Sequence, residues 1–196
     1  MEKPIRLGIL GSGKGSNFAA ILREVQAGKL AVEIAAVASD MPGAGILKLA
    51  EKAGLPHAVF PEPQFRTKLT PEVETALADY LKAAGVDWLI LAGYMRVLKA
   101  PLLDAFPGRI INIHPSLLPK FRGLAAWKQA LEAGETEAGC TVHFVDSGVD
   151  TGKIIAQAKV PILPGDTAET VHARIQIEEH RLYPEVIARI ANGKLN

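Results

Sequence analysis

The chain of 196 residues is short of every feature that would take it out of the ordinary globular class. It has one cysteine, Cys140, so no intrachain disulfide is available, and a lone thiol fits a reducing compartment. It has almost no charge bias. Lysine plus arginine number 22 against 21 acidic residues, a net charge of +1, which provides no field for steering onto a polyanion and argues against nucleic acid as a partner. Apolar runs such as Trp88–Ala92 fall far short of the roughly 18 residues that cross a bilayer. The start, Met1-Glu2-Lys3-Pro4, carries an acid and is followed by a short apolar run that ends at a glycine cluster, so no secretory signal and a cytoplasmic location are expected. What remains is 48% hydrophobic and 22% charged, enough to bury a core without metal or disulfide.

Short β-branched runs alternate with helical stretches, the pattern of βα units that form a mainly parallel sheet. Strands are predicted at Ile5–Leu10, Val32–Ala38, His57–Phe60, Trp88–Ala92, Arg109–Ile113, Thr141–Val145 and Ile154–Val160. Helices are predicted at Phe18–Ala27, Gly45–Ala53, Glu72–Ala84, Ala125–Ala133 and Thr167–Ile190. Pro61, Pro63 and Pro71 mark a loop between the third strand and the third helix. The Ser147–Lys153 connection is too short for a crossover helix, so the last two strands should be antiparallel. The expected fold is one Rossmann-like, open, mostly parallel α/β sheet with flanking helices and an antiparallel C-terminal portion. Ligands in such sheets bind beyond the carboxyl ends of the strands, which points to residues following 10, 92 and 113.

Three constellations lie there. Gly11-Ser12-Gly13-Lys14-Gly15-Ser16-Asn17 joins a strand to a helix, where free N–H groups and the helix dipole favour an anion; it matches neither the dinucleotide fingerprint nor the Walker pattern, so a phosphate monoester suits it best. Asn112 and His114, at i and i+2 of one strand, project from the same face and could combine an oxyanion donor with a proton-transfer group. Asp146 and Asp150 flank a glycine-containing loop that could bring a carboxylate to His114 and favour its cation; the residues themselves do not choose between the two. The five histidines show no zinc-ligand spacing, so no metal is expected, and Cys140 reads as core. Gln176 and Glu179 lie three apart on the last helix, hence on one side of it.

Taken together, Gly13-Lys14-Gly15-Ser16-Asn17, Leu91-Ala92-Gly93-Tyr94-Met95-Arg96, Asn112-Ile113-His114-Pro115-Ser116-Leu117-Leu118-Pro119 and Asp150-Thr151-Gly152 resemble the phosphoribosylglycinamide formyltransferases over nearly the whole chain. The resemblance implies a transferase of purine biosynthesis that moves the formyl group of 10-formyltetrahydrofolate, a cosubstrate, to the amine of 5-phosphoribosylglycinamide without a covalent enzyme intermediate. It implies Asn112, His114 and Asp150 as the catalytic set, with Asp150 the carboxylate that acts on His114. It also implies substrate phosphate and ribose at Gly15, Ser16, Asn17, Gln176 and Glu179. The folate would meet Met95, Arg96, Val97, Leu98 and Asn112, with Arg66 a candidate from the proline-rich loop. The segment Gly123-Leu124-Ala125-Ala126-Trp127 lacks the histidines that many members of the family carry there.

A single unit spanning 1–196 is expected, its phosphate-binding half about 1–100 and its folate and catalytic half about 101–196, working as a monomer or homodimer. Two other formyl chemistries are the nearest alternatives: the catalytic domain of a methionyl-tRNA formyltransferase, and a formyltetrahydrofolate hydrolase that delivers formyl to water. A non-catalytic binder of phosphorylated metabolites, for which Asn112 and His114 would be dispensable, is the remaining alternative.

Overall fold

Strand alternation decides which side of the sheet each residue enters, and here both sides are covered. The computed structural model describes residues 3–195; Met1, Glu2 and Asn196, at the ends of the expected unit, lie outside the described residues. The elements in chain order are β1 (Ile5–Leu10), α1 (Ser16–Gln26), β2 (Val32–Ser39), α2 (Gly45–Lys52), β3 (His57–Val59), α3 (Pro71–Ala83) and β4 (Trp88–Leu91). They continue with α4 (Ala100–Ala105), β5 (Ile110–His114), α5 (Ala126–Glu132), β6 (Glu137–Phe144), β7 (Ile154–Pro161) and α6 (Ala168–Ala191).

One seven-stranded sheet runs in the order β3-β2-β1-β4-β5-β6-β7 and crosses residue 100 without a break. β1 to β5 are parallel, whereas β6 runs antiparallel to β5 and β7 antiparallel to β6. This is the expected architecture, and the order reverses direction between β1 and β4, where open α/β sheets leave a crevice.

Two buried clusters face the two sides. Leu7, Ile9, Ile90, Ile111 and Ile113 pack with Phe18, Ile21, Ile46 and the α6 residues Ile175, Tyr183 and Ile187. Leu10, Leu89, Leu91 and Ile110 pack on the other side with Leu77 and Leu81 of α3 and Leu102 of α4. Tyr183, fully buried, directs its hydroxyl at the carbonyls of Leu91 (2.9 Å) and Ile111 (3.1 Å), tying α6 to the ends of β4 and β5.

The predicted elements hold with ends shifted by a residue or two, with two exceptions. The helix α4 was not predicted: six residues opening on Ala100-Pro101 are too few to show a 3.6-residue period. β6 begins at Glu137, four residues ahead of the expected Thr141. Ala138, Gly139 and Cys140 lack β-branching, and only their pairing with Val160, Lys159 and Ala158 makes them strand.

Candidate active site

The polar pair on β5 sits where the second apolar cluster ends. Ile110, Asn112 and His114 share a face; Ile110 closes that core, and Asn112 and His114 are the next two side chains along it. The antiparallel register brings β6 alongside, with Asn112 opposite His143 and His114 opposite Thr141. His114 and His143 are 5% and 2% exposed.

Asp150 reaches this pair from the β6–β7 loop. Its carboxylate lies 3.4 Å from His114 Nδ1 and 3.6 Å from His143 Nε2, and it accepts the Gly123 N–H at 2.9 Å. The choice the sequence left open is thereby made geometrically. Asp146 spends its carboxylate within its own loop, accepting from the Gly148 N–H and the Thr151 hydroxyl. Asp150 adopts φ 52°, and among the described residues the other non-glycine positions at positive φ are Phe121 and Ala125, on the neighbouring loop. Left-handed backbone costs on the order of 1–2 kcal/mol for such residues, and Asp150 and Phe121 adopt it where they meet the His114 ring. Gly152 permits the loop to close: a Cβ there would lie 1.8 Å from the Phe144 carbonyl oxygen.

His143 is a site residue that sequence reading missed. Its Nδ1 lies 2.8 Å from the Phe144 carbonyl and therefore carries the proton, while Nε2 lies 3.2 Å from Asn112 Nδ2 and accepts from it. Burial lowers its pKa, in keeping with a neutral ring, so its 3.6 Å approach to Asp150 is proximity rather than an ion pair. This neutral imidazole fixes which way the Asn112 amide points and leaves the second Nδ2 hydrogen for a ligand. Only the β5–β6 register could have revealed it.

His114 is held at Nε2, which lies 2.9 Å from the Phe121 carbonyl, while Nδ1 faces Asp150 at 3.4 Å. The turn after His114, which contains the cis Leu118–Pro119 bond, is anchored from beneath. The Thr141 hydroxyl donates to the Ser116 carbonyl (2.6 Å) and accepts the Leu118 N–H, and Gln157 donates to the Leu118 carbonyl.

The glycine loop lies across the crevice. Gly15 caps α1 at φ +80° with no side-chain cap, and the first intrahelical bond runs from Ala19 N–H to Gly15 O. The amides of Ser16, Asn17 and Phe18 therefore precede the hydrogen-bond ladder at the positive end of the helix. The Ile46 N–H holds the Gly13 carbonyl at 3.1 Å, and a Cβ on Gly45 would lie 2.6 Å from the Lys14 carbonyl, so α2 backs the loop closely.

Asn17 donates to Glu179 of α6 at 3.1 Å, which brings the two ends of the chain together at the loop. Glu179 is 5% exposed, and burial lifts its pKa to about 6, against which the Asn17 bond works. A raised folded-state value means that the native protein binds this proton more tightly than the unfolded chain. Stability should therefore rise as pH falls from about 6 toward the ordinary glutamate value of 4.5, and the ionised form weighs against folding above that window. Glu179→Gln, which still accepts from Asn17, should be more stable than the parent by about 2 kcal/mol at pH 8 and equal to it below pH 4, as read from denaturant midpoints across pH. A difference independent of pH would refute the assignment.

The remaining candidates are placed unevenly. Gln176 is half-buried one turn before Glu179. Met95 is 56% exposed, Val97 is half-buried, and Leu98 is in the core at 3% exposure. The Arg96 side chain is committed to Asp40 and to the carbonyls of Phe65 and Glu62. Arg66 stands exposed on the proline-rich loop. Among the described residues no three His, Cys, Asp or Glu side chains are grouped to hold a metal ion, and no helix is long and apolar enough to cross a membrane. A surface groove of about 560 Å³ between α1 and α6 shares no lining residue with this site.

Comparison with known proteins gives a consistent picture. A family model described as formyl transferase matches residues 5–187. The chain is 43% identical over 190 residues to a phosphoribosylglycinamide formyltransferase of Haemophilus influenzae, covering 97% of this chain and 89% of that one. It is 50% identical over 192 residues to the trifunctional purine biosynthetic protein adenosine-3 of Drosophila pseudoobscura pseudoobscura, covering 97% of this chain but only 14% of that protein's length. Among solved structures, glycinamide ribonucleotide transformylase 1 from Symbiobacterium toebii superposes with a TM-score of 0.91 at 49% identity, covering 97% of this chain and 89% of the other.

Proposed function

The chain belongs to the formyl transferase family, and on that premise we propose that it transfers the formyl group of 10-formyltetrahydrofolate to the amine of 5-phosphoribosylglycinamide, in purine biosynthesis. The observation that carries this reading is the convergence of the Asn112 amide, the His114 imidazole and the Asp150 carboxylate at one open end of the sheet, across from a helix N-terminus.

In this reading the phosphate sits on the amides of Gly15, Ser16 and Asn17, and Glu179 and Gln176 receive the ribose. The donor lies beside residues 95–98, with exposed Met95, Leu124 and Val149 giving its rings an apolar border. The first half of the chain thus supplies the phosphate loop and the second the chemistry, with α6 and residues 95–98 crossing that division. The neutral amine attacks the formyl carbon and the carbonyl electrons move to oxygen, where the free Nδ2 hydrogen of Asn112 and the protonated His114 stabilise the charge. Because Nε2 is held by the Phe121 carbonyl, Nδ1, which faces the Asp150 carboxylate at 3.4 Å, is the nitrogen left to meet the reacting centre. The tetrahedral adduct then collapses: the bond to the folate nitrogen breaks, that nitrogen takes the proton lost by the amine, and N-formyl product and tetrahydrofolate leave. The amine is itself the nucleophile, so no covalent bond to the protein is formed.

The assay that tests this mixes purified protein with 10-formyltetrahydrofolate and 5-phosphoribosylglycinamide and follows both products. Stoichiometric formyl product and tetrahydrofolate are expected. Release of formate alone would mean a hydrolase, and binding without turnover a sensor of phosphorylated metabolites.

A further inference from the structure

Asp40, just past the end of β2, lies outside the set of groups described above, yet it joins three of the loops at the crevice. It is 3% exposed. One carboxylate oxygen accepts from the Ser12 hydroxyl of the glycine loop at 2.5 Å, and the other accepts from Arg96 Nε at 2.6 Å. Donating its only proton to Asp40 leaves the Ser12 oxygen free as an acceptor, and it accepts the Met95 N–H at 2.9 Å. Arg96 extends the chain outward, giving its two terminal nitrogens to the carbonyls of Phe65 and Glu62, while the Val97 N–H bonds the Thr67 carbonyl at 2.8 Å.

One buried carboxylate therefore fixes the phosphate-loop serine, the backbone beside the folate segment, and the loop after β3. The Asp40 and Arg96 side chains are 2% and 7% exposed, so each is the other's counter-charge with little help from water. The polarity has one solution: Ser12 cannot turn its proton elsewhere without leaving Asp40 short of a donor. A charge at this point also allows no slack, since charge-assisted bonds are shorter and stiffer than neutral ones.

We infer that Asp40 is a positioning residue that, through Ser12 and Arg96, sets the spacing between the phosphate loop and residues 95–98, and thereby between the acceptor amine and the donor formyl carbon. This rests on the activity proposed above. A misplacement of about 1 Å between reacting groups can cost on the order of 100-fold in rate without weakening either ligand's own contacts, so the signature is a loss in kcat with binding preserved.

The experiment measures kcat for formyl transfer in the parent, Ser12→Ala, Asp40→Ala and the double variant. Ribose 5-phosphate and tetrahydrofolate are titrated separately onto each. Asp40→Ala should lose on the order of 100-fold in kcat and Ser12→Ala on the order of 10-fold, with either ligand bound within about three-fold of the parent affinity. The double variant should lose much less than the product of the two single losses, since the Ser12–Asp40 bond is common to both. If the unpaired Arg96 prevents Asp40→Ala from folding, Ser12→Ala carries the test, because it leaves the buried ion pair intact. A kcat for Ser12→Ala within two-fold of the parent overturns the inference, as does a loss confined to the affinity of one ligand, or losses that multiply in the double variant. A parent protein without formyl transfer would instead remove the reading on which the inference rests.

Discussion

Replacing Asn112 with alanine should lower single-turnover formyl transfer by about 100- to 1,000-fold while ribose 5-phosphate still binds. The amide has two N–H groups; one is bound to His143 Nε2, and in the proposed mechanism the other is the donor that meets the oxyanion. Loss of one such donor in other acyl-transfer sites has that size of effect, about 2.7–4 kcal/mol. His114→Ala should lose at least as much, because in the proposed mechanism it removes the charged group that stabilises the oxyanion. Asn112→Asp sharpens the test, since it preserves shape and replaces the donor by lone pairs facing the developing negative charge. It should be no faster than the alanine variant. Turnover within three-fold of the parent in either Asn112 variant would remove the oxyanion role.

The second large effect is expected at Asp150. Alanine there releases two contacts together, the Gly123 N–H and the His114 Nδ1, so a loss of activity could reflect a loosened loop as much as missing charge. Asp150→Asn separates the two: its carbonyl oxygen still accepts from Gly123, but the negative charge beside the two imidazoles is gone. We expect Asp150→Asn to melt within a few degrees of the parent and to lose on the order of 100-fold in kcat, about 2.7 kcal/mol, as for a proton-transfer partner worth 100- to 10,000-fold. Parent-like kcat in the asparagine variant would reduce Asp150 to a loop anchor.

Much of this site was legible because its parts are local. Asn112 and His114 share a face whenever residues 110–114 are extended, and a glycine cluster between a strand and a helix exposes amides wherever it occurs. Asp150 was legible only as one of two choices: Asp146 and Asp150 differ by which turn each carboxylate closes, and that depends on where Gly123 arrives from another part of the chain. His143 and Asp40 were not legible at all. His143 matters because an antiparallel register puts it opposite Asn112, and Asp40 because Ser12 and Arg96, 28 and 56 residues away, converge on it.

Amphipathic period, strand alternation and turn chemistry act over a few residues, so the amino-acid order alone determined most of the sheet-and-helix succession, though not α4 or the first residues of β6, together with the glycine turn before α1 and the paired polar groups of β5. Tertiary structure alone decided their partners. Side-chain hydrogen bonds reach about 3 Å and bring together residues that the chain separates by dozens of positions, so tautomer, carboxylate choice and the tie through Asp40 exist only once the strands have found their neighbours.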